Sequence, residues 1–344
     1  MGVTLCRRRA MPQNHKSHAE YINELMRGYW KAAILFCAND LGIFEALADE
    51  PKTADQVAQR LGTDPRATAM LMNALAALKL LEKNGDLFSN SETANQCLVP
   101  SAPYHMDNLI RHSRNCWWSW GDLSYVVRHG KPRHPATLPT PPDEAQRTRA
   151  FILGMHDTAS FTADLMMDRL DLSRVRRMLD VGGGPGTYCY AAAKRNKELH
   201  ATIFDLPTTL EITKELIKKY GFEDRITTLA GDFTVDELPK GYDLVLMSQI
   251  LHSYPPDQCE KLVKSGADSL VSGGTLVIHE FALEENRIEP LEAALFSVNM
   301  LVNTDGGAAY TKSEILGWMQ SAGLQNLTVE QITPRSAMFT GQKP

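Results

Sequence analysis

The sequence lacks most of what would mark a membrane protein, a metalloprotein or a disulfide scaffold. No uninterrupted apolar stretch approaches the ~20 residues that span a bilayer. Arg7, Arg8 and Arg9 are followed by Met11, Pro12, Gln13, Asn14 and His15, not by the apolar core of a secretion signal, so a cytoplasmic location is expected. Residues 1–13 read as a disordered tail. The six cysteines (Cys6, Cys37, Cys97, Cys116, Cys189 and Cys259) form no Cys-x-x-Cys pair, so neither a zinc site nor a disulfide framework is expected. His105, His112, His129 and His134 lack the i, i+4 spacing of a helical metal pair, and no metal is expected. The net charge of −5 provides no general field for nucleic acid or an acidic membrane surface.

What is present is ordinary globular material, 43% hydrophobic and 22% charged, and its 344 residues suit two domains. From His18 to about Leu98 the pattern is helical, with Ala32, Ala33, Leu35 and Phe36 on one apolar stripe. Thr53 with Gln56 predicts a capping box, and Asp64-Pro65 opens a helix expected to run to about Leu80. Asn84-Gly85-Asp86 between short apolar runs predicts a hairpin. Helices followed by a hairpin read as a winged helix over residues 14–100. Its second helix carries only Arg66 and Lys79 as cations, too few to neutralise a DNA backbone, so burial or a protein partner suits it better. Residues 101–170 read as a helical linker: one helix around Leu109–Arg128, an extended Pro-rich loop, and a second helix from Glu144 to Leu170.

From residue 171 onward, strands alternate with helices, which predicts an α/β Rossmann-like domain to residue 344. The two last strands are too close for a crossover and must form a hairpin, giving seven strands with the last antiparallel. This is the layout of class I methyltransferases. The sharpest motif is Leu179-Asp180-Val181-Gly182-Gly183-Gly184-Pro185-Gly186, a strand that turns tightly into a helix at the edge where ligands of such sheets bind. Asp205 closes the next strand about twenty residues on, where a carboxylate grips ribose hydroxyls. A dinucleotide fingerprint would need a glycine at Thr187, and Asp180 would repel pyrophosphate while suiting the cationic end of S-adenosylmethionine. Gly231-Asp232-Phe233 closes the third strand, with Asp232 able to accept from an adenine amino group and Phe233 able to pack on the purine.

These motifs, with FDLP, ILHSYPPDQC and Gly306-Gly307 in order, resemble the plant-type and bacterial small-molecule O-methyltransferases, which include the acetylserotonin and caffeic acid enzymes. The resemblance runs from about Tyr21 to the C-terminus. It implies an N-terminal dimerisation domain that helps close the partner's acceptor pocket, hence a homodimer with a small-molecule acceptor. It implies cofactor positions at Gly182, Gly184, Asp205, Leu206, Asp232 and Phe233, with Ser248 and Gln249 beside them. It implies an acceptor pocket at Phe151, Met155, Met300, Asn303 and Thr304, a catalytic base at His252, and an orienting acid at Glu280. A histidine beside the sheet mouth is also the residue chemistry favours, since it accepts protons near neutrality.

The pattern breaks in two places. Many family members carry a glutamate just after the paired glycines, where this chain has Ala309. Ser253 stands where the family has an aspartate after the histidine. A less supported base leaves other acceptors open: one already acidic or nucleophilic, an N, S or C atom, or a non-methylating reaction of the same fold. A ligand-sensing winged-helix transcriptional regulator and a metal-dependent catechol-type methyltransferase are the rival readings.

Overall fold

The computed structural model describes residues 13–102, 104–133 and 144–344. The expected tail, save Gln13, lies outside the described residues, as does His134. The chain forms two compact units, one closing at Ile110 and the other opening at Arg111.

The first unit contains α1 (Gln13–Leu41), α2 (Ile43–Ala46), β1 (Lys52–Thr53), α3 (Ala54–Leu61), α4 (Pro65–Ala77), β2 (Leu81–Asn84), β3 (Leu87–Asn90) and α5 (Glu92–Cys97). Thr53 and Gln56 form the expected reciprocal cap, and Asp64 caps α4 through the Ala67 amide with Pro65 at the first helical position. The hairpin β2–β3 takes β1 as a third strand, in the order β1-β3-β2, which is a winged-helix arrangement. Ile43, Phe44, Val57, Met72, Leu75 and Phe88 make its core. On α1, Tyr21, Ile22, Leu25, Met26, Tyr29 and Trp30 remain at least half exposed.

The linker differs from expectation. The single helix expected over Leu109–Arg128 is three: α6 (Asp107–Asn115), α7 (Trp117–Gly121) and α8 (Leu123–His129). Bulky tryptophans and Gly121 are poor helix formers, and Asp122 turns its amide back to the Ser119 carbonyl. The helix expected over Glu144–Leu170 is likewise two, α9 (Glu144–Ser160) and α10 (Ala163–Met167). Thr162 separates them: its hydroxyl bonds the Ala159 carbonyl and meets the Tyr188 hydroxyl, in competition with helix continuation.

The second unit then alternates as β4 (Arg177–Val181), α11 (Thr187–Arg195), β5 (His200–Asp205), α12 (Pro207–Tyr220), β6 (Ile226–Ala230), β7 (Tyr242–Ser248), α13 (Pro256–Ser269), β8 (Leu270–Leu283), α14 (Leu291–Asn303), β9 (Tyr310–Thr311), α15 (Lys312–Ser321), β10 (Gln325–Thr333) and β11 (Ser336–Gln342). The sheet order is β10-β11-β8-β7-β4-β5-β6. Strands β4 to β8 pair in parallel, and β11 runs antiparallel to both of its neighbours, β8 and β10. The short β9, which sequence reasoning did not anticipate, pairs with the end of β8.

Both faces of the central strands are buried, as parallel pairing requires, while the edge strands β10 and β6 are largely exposed. Residues alternate between two cores: Leu244 and Leu246 with Met178 and Ile203 on one side, Val245 and Met247 with Leu179, Ile278 and Phe339 on the other. Phe339 sits on the antiparallel strand and is fully buried. Truncating it leaves a cavity in the core under β11, so Phe339→Ala should lower unfolding free energy by about 3–5 kcal/mol, read from the denaturant midpoint at unchanged slope.

Candidate active site

The strand ends of β4, β5, β6, β7 and β8 bring the expected site residues together. After β4, Gly182, Gly184 and Gly186 all have positive φ, at 63°, 51° and 78°. Only glycine fits the crowded side of this turn. A Cβ on Gly182 would lie 2.4 Å from Ile250 Cδ1, and one on Gly183 would lie 2.6 Å from the Asp180 carboxyl carbon. Gly184 faces open space, with its nearest neighbour, its own loop's Gly182 carbonyl, 4.0 Å away. Thr213 on α12 donates to the Gly184 carbonyl at 2.6 Å, and the Tyr190 hydroxyl donates to the Pro185 carbonyl at 2.7 Å, pinning the loop from below.

Two carboxyls lie under and beside this loop. Asp205 accepts from the Gly184 amide at 2.8 Å and the Leu206 amide at 2.7 Å, while burial raises its pKa. Thr209 on α12 also bonds to it, and the carboxylate's remaining lone-pair capacity is free for a ligand. Asp180 is 1% exposed. Burial pushes its carboxyl up to about 7, against the donation from Cys189 Sγ. Its Oδ1 has no hydrogen-bond partner, a costly condition for a buried oxygen and one that suits a cationic ligand nearby. Beyond β6, the Asp232 side chain accepts from the Thr234 amide and hydroxyl, and Phe233 packs edge-on to Tyr254 and against Gly182. Leu206 is 45% exposed beside Asp205.

At the end of β7 the chain reverses sharply. Gln249 takes a φ of 60°, unusual for a side-chain-bearing residue, and its amide donates to the His279 carbonyl at 2.8 Å. A single 3-10 turn, Leu251–Ser253, follows and presents His252. Pro255 and Pro256 end the reversal and start α13. Glu280, buried on β8, accepts from the Leu251 amide at 2.7 Å and from the His252 ring Nδ1 at 2.8 Å. His252 rests edge-on against Phe296 of α14, which in turn stacks on Phe281. The Nε2 atom makes no hydrogen bond among the described residues. Gly307 is flush against this turn: a Cβ there would lie 2.3 Å from the His252 carbonyl oxygen. Its amide donates to Thr304, whose hydroxyl caps the Met300 carbonyl at the end of α14.

The acceptor-side residues are less gathered. Met300 is buried at 7% exposure, and Thr304 lies against the His252 turn. Asn303 spends its amide on Asn299, and Asn299 also accepts from Trp120 Nε1 at 2.9 Å, docking α7 on α14. Phe151 and Met155 lie on α9, and Phe151 meets His112 edge-on.

Sequence reasoning missed two histidines. His279 precedes Glu280 and is 3% exposed; its Nδ1 faces Ser248 at 3.1 Å and Tyr188 at 3.3 Å, and its Nε2 faces Ser336 at 3.0 Å. His156 follows Met155 and bridges Thr187, the first residue of α11, to the Tyr220 hydroxyl, each at 2.7 Å. Burial holds both pKa values down at about 4. Their only signal in the sequence is adjacency to residues already singled out.

Residues 105–325 match the O-methyltransferase domain family, and residues 23–100 match the O-methyltransferase dimerisation domain family. The chain belongs to the O-methyltransferase family. A 3-hydroxy-5-methyl-1-naphthoate 3-O-methyltransferase of Streptomyces sahachiroi is 36% identical, covering 91% of this chain and 92% of the relative. The N,N-dimethyltransferase OxyT of Streptomyces rimosus is 31% identical over 77% of this chain and 78% of its own. The structure of human N-acetylserotonin methyltransferase with S-adenosylmethionine matches with a TM-score of 0.87 and 25% identity, over 100% of this chain and 99% of that one. The protein is a methyltransferase with the class I α/β fold, and S-adenosylmethionine is its cofactor. A transcriptional regulator is not supported by these relatives, all named as methyltransferases. No described helix is long and apolar enough to cross a membrane. The residues present suit the cofactor: an open glycine cradle, a paired-amide carboxylate with spare lone pairs, an aromatic face, and an unsatisfied buried carboxyl oxygen.

The buried histidine His279 makes stability depend on pH. Its pKa is about 4 folded and 6.5 unfolded, so as pH falls the unfolded chain takes up the proton first. Its contribution is complete above 6.5 and is lost as pH drops toward 4. Between pH 7 and 4 the native protein should lose about 3 kcal/mol more than His279→Gln, measured by denaturant unfolding. Taking the difference removes the titrations of His156 and Asp180 that both proteins share.

Proposed function

We propose that this enzyme methylates the hydroxyl oxygen of a small, flat, aromatic or apolar acceptor, with His252 as the general base and Glu280 as its positioning acid. The observation that carries the reading is the pair of hydrogen-bond states on one ring. Nδ1 is tied at 2.8 Å to a buried carboxylate, and Nε2 is left open. Donation from Nδ1–H to Glu280 fixes the tautomer and leaves the Nε2 lone pair to accept the hydroxyl proton. As that proton arrives, the imidazolium forms beside a carboxylate already in contact, so little has to rearrange.

S-adenosylmethionine supplies a methyl group on a cationic sulfur. The chain's own residues would hold it: Asp180, Gly182, Gly184, Gly231, Asp205, Leu206, Asp232 and Phe233, with Ser248 and Gln249 at the mouth. Asp205 would take the ribose hydroxyls on its free lone pairs, and Phe233 would cover one face of the purine. Phe151, Met155, Met300, Asn303 and Thr304 would face the acceptor. With Ala309 buried against Leu283, Ala293 and Phe281, His252 has one acid, which favours an acceptor hydroxyl that is acidic for its class, as on an aromatic ring. A relative that methylates a hydroxynaphthoate supports the same class. Residues 14–100 would form the dimerisation domain, 101–170 the linker, and 171–344 the cofactor domain. The half-exposed aromatic and aliphatic face of α1 would pair two copies.

Replacing His252 with Ala should lower kcat by about 10²–10⁴-fold while calorimetry still finds cofactor binding. Glu280→Gln should cost less. The double variant should be no slower than His252→Ala, because a glutamine at 280 can still accept from the Leu251 amide and the acid's effect on the reaction passes through the ring. Unchanged turnover in His252→Ala would remove the base role.

A further inference from the structure

Arg147 is the one described arginine of α9 whose positive charge has no carboxylate against it. Arg149, two residues on, is exposed and forms a two-pronged pair with Glu215 at 2.8 and 3.2 Å. Arg147 is half-buried and makes neither an ion pair nor a hydrogen bond among the described residues. A half-buried, always-charged guanidinium with five donors left idle is costly unless a ligand uses it.

Its surroundings indicate which ligand. Arg147, Phe151 and Met155 recur at i, i+4 and i+8 and share one stripe of α9. That stripe faces α6 and the residue after it: Phe151 meets the His112 ring at 5.2 Å, and His112 Nε2 lies 3.8 Å from Cys116 Sγ. Burial, and then the Arg147 charge, depress the His112 pKa, so the ring beside the guanidinium is neutral and adds no second positive charge. α9 and the neighbouring α7 are each tied to elements beside the reacting centre: His156 bonds α9 to Thr187, the first residue of α11 after the glycine loop, and Trp120 fastens α7 to Asn299 of α14, the helix whose Phe296 touches His252. Beside this guanidinium, then, stand an aromatic pair, Phe151 and His112, and no carboxylate among the described residues.

We propose that Arg147 is an anion subsite of the acceptor pocket, and that the preferred acceptor is a hydroxylated arene carrying a carboxylate. This rests on the O-methylation reading above and names its substrate class. The planar guanidinium matches a carboxylate two-to-two, while Phe151 meets the ring that bears it. The carboxylate fixes which hydroxyl on that ring is presented for methylation.

The test pairs each hydroxynaphthoic and hydroxybenzoic acid with its neutral carboxamide, using the full-length enzyme with S-adenosylmethionine. The readout is the ratio of kcat/KM, acid over amide. The wild type should favour the acid at least tenfold. Arg147→Gln should bring the ratio near one, Arg147→Lys should restore part of it, and Arg149→Gln should leave it as in the wild type. A wild-type ratio near one, or a ratio that survives Arg147→Gln, overturns the subsite. A second arm needs no methyl transfer: calorimetric binding of 1-naphthoate against 1-naphthamide, to enzyme loaded with the demethylated cofactor product. If no hydroxyarene is methylated yet naphthoate binding weakens at least tenfold in Arg147→Gln, the acceptor-atom reading fails and the subsite stands. If hydroxyarenes are methylated with no preference for the acid in either arm, the subsite alone falls.

Discussion

Everything at the mouth of this sheet is arranged around one buried carboxylate. Glu280 sits on β8 at 1% exposure, where an unpaired charge would be prohibitively costly, so its oxygens must be met. They are met by the Leu251 amide and the His252 ring. To present those donors the chain must leave β7 abruptly, which it does through the left-handed Gln249 and a single 3-10 turn. The turn must also be backed closely, which is why Gly307 lies where even a methyl group would collide with the His252 carbonyl. Burial of one charge thus dictates a strained residue, a tight turn, an obligatory glycine and the orientation of the His252 ring.

The glycine loop answers to a related constraint. Asp180 and Asp205 approach the same few backbone atoms, and burial raises the pKa of both. Asp205 is compensated by two amides; Asp180 has only the weak Cys189 thiol and one empty oxygen. A site that binds a positively charged ligand can leave this deficit in the protein, because the ligand's own charge completes it. The neutral histidines His156 and His279 serve the opposite need: they supply hydrogen bonds to the surrounding hydroxyls without adding a cation that would compete.

Much of this could be read from the chain because it is written in local chemistry. The capping box at Thr53, the proline start at Pro65, the glycine turn after Val181 and the hairpin of β10 and β11 each depend on a few adjacent residues, and each formed. The linker could not be read that way. Whether Trp117–Gly121 continues a helix depends on where Trp120 finds Asn299, far along the chain. Whether α9 continues depends on Thr162 meeting Tyr188. His279 and His156 escaped for the same reason: their partners Ser336, Thr187 and Tyr220 lie on other elements, and nothing in the local sequence announces them.

The position after the paired glycines shows how such a site can change its demands without changing its frame. Ala309 is buried with Leu283 and Ala293, beside Phe281, and that ring stacks on Phe296, which holds the face of His252. An acid at this point would stand among apolar side chains, Leu283, Ala293 and Phe281. Apolar packing therefore takes over the steering of His252, and Glu280 alone supports its charge. Packing orients a ring as well as a hydrogen bond does, but it does nothing to stabilise an imidazolium. On the proposal that His252 is the base, a ring with one supporting acid suits an acceptor that gives up its proton readily, as an aromatic hydroxyl does. In that proposal the aromatic rings packed around His252 are also the surface on which a flat acceptor would lie, so the single acid and the choice of acceptor follow from one set of side chains.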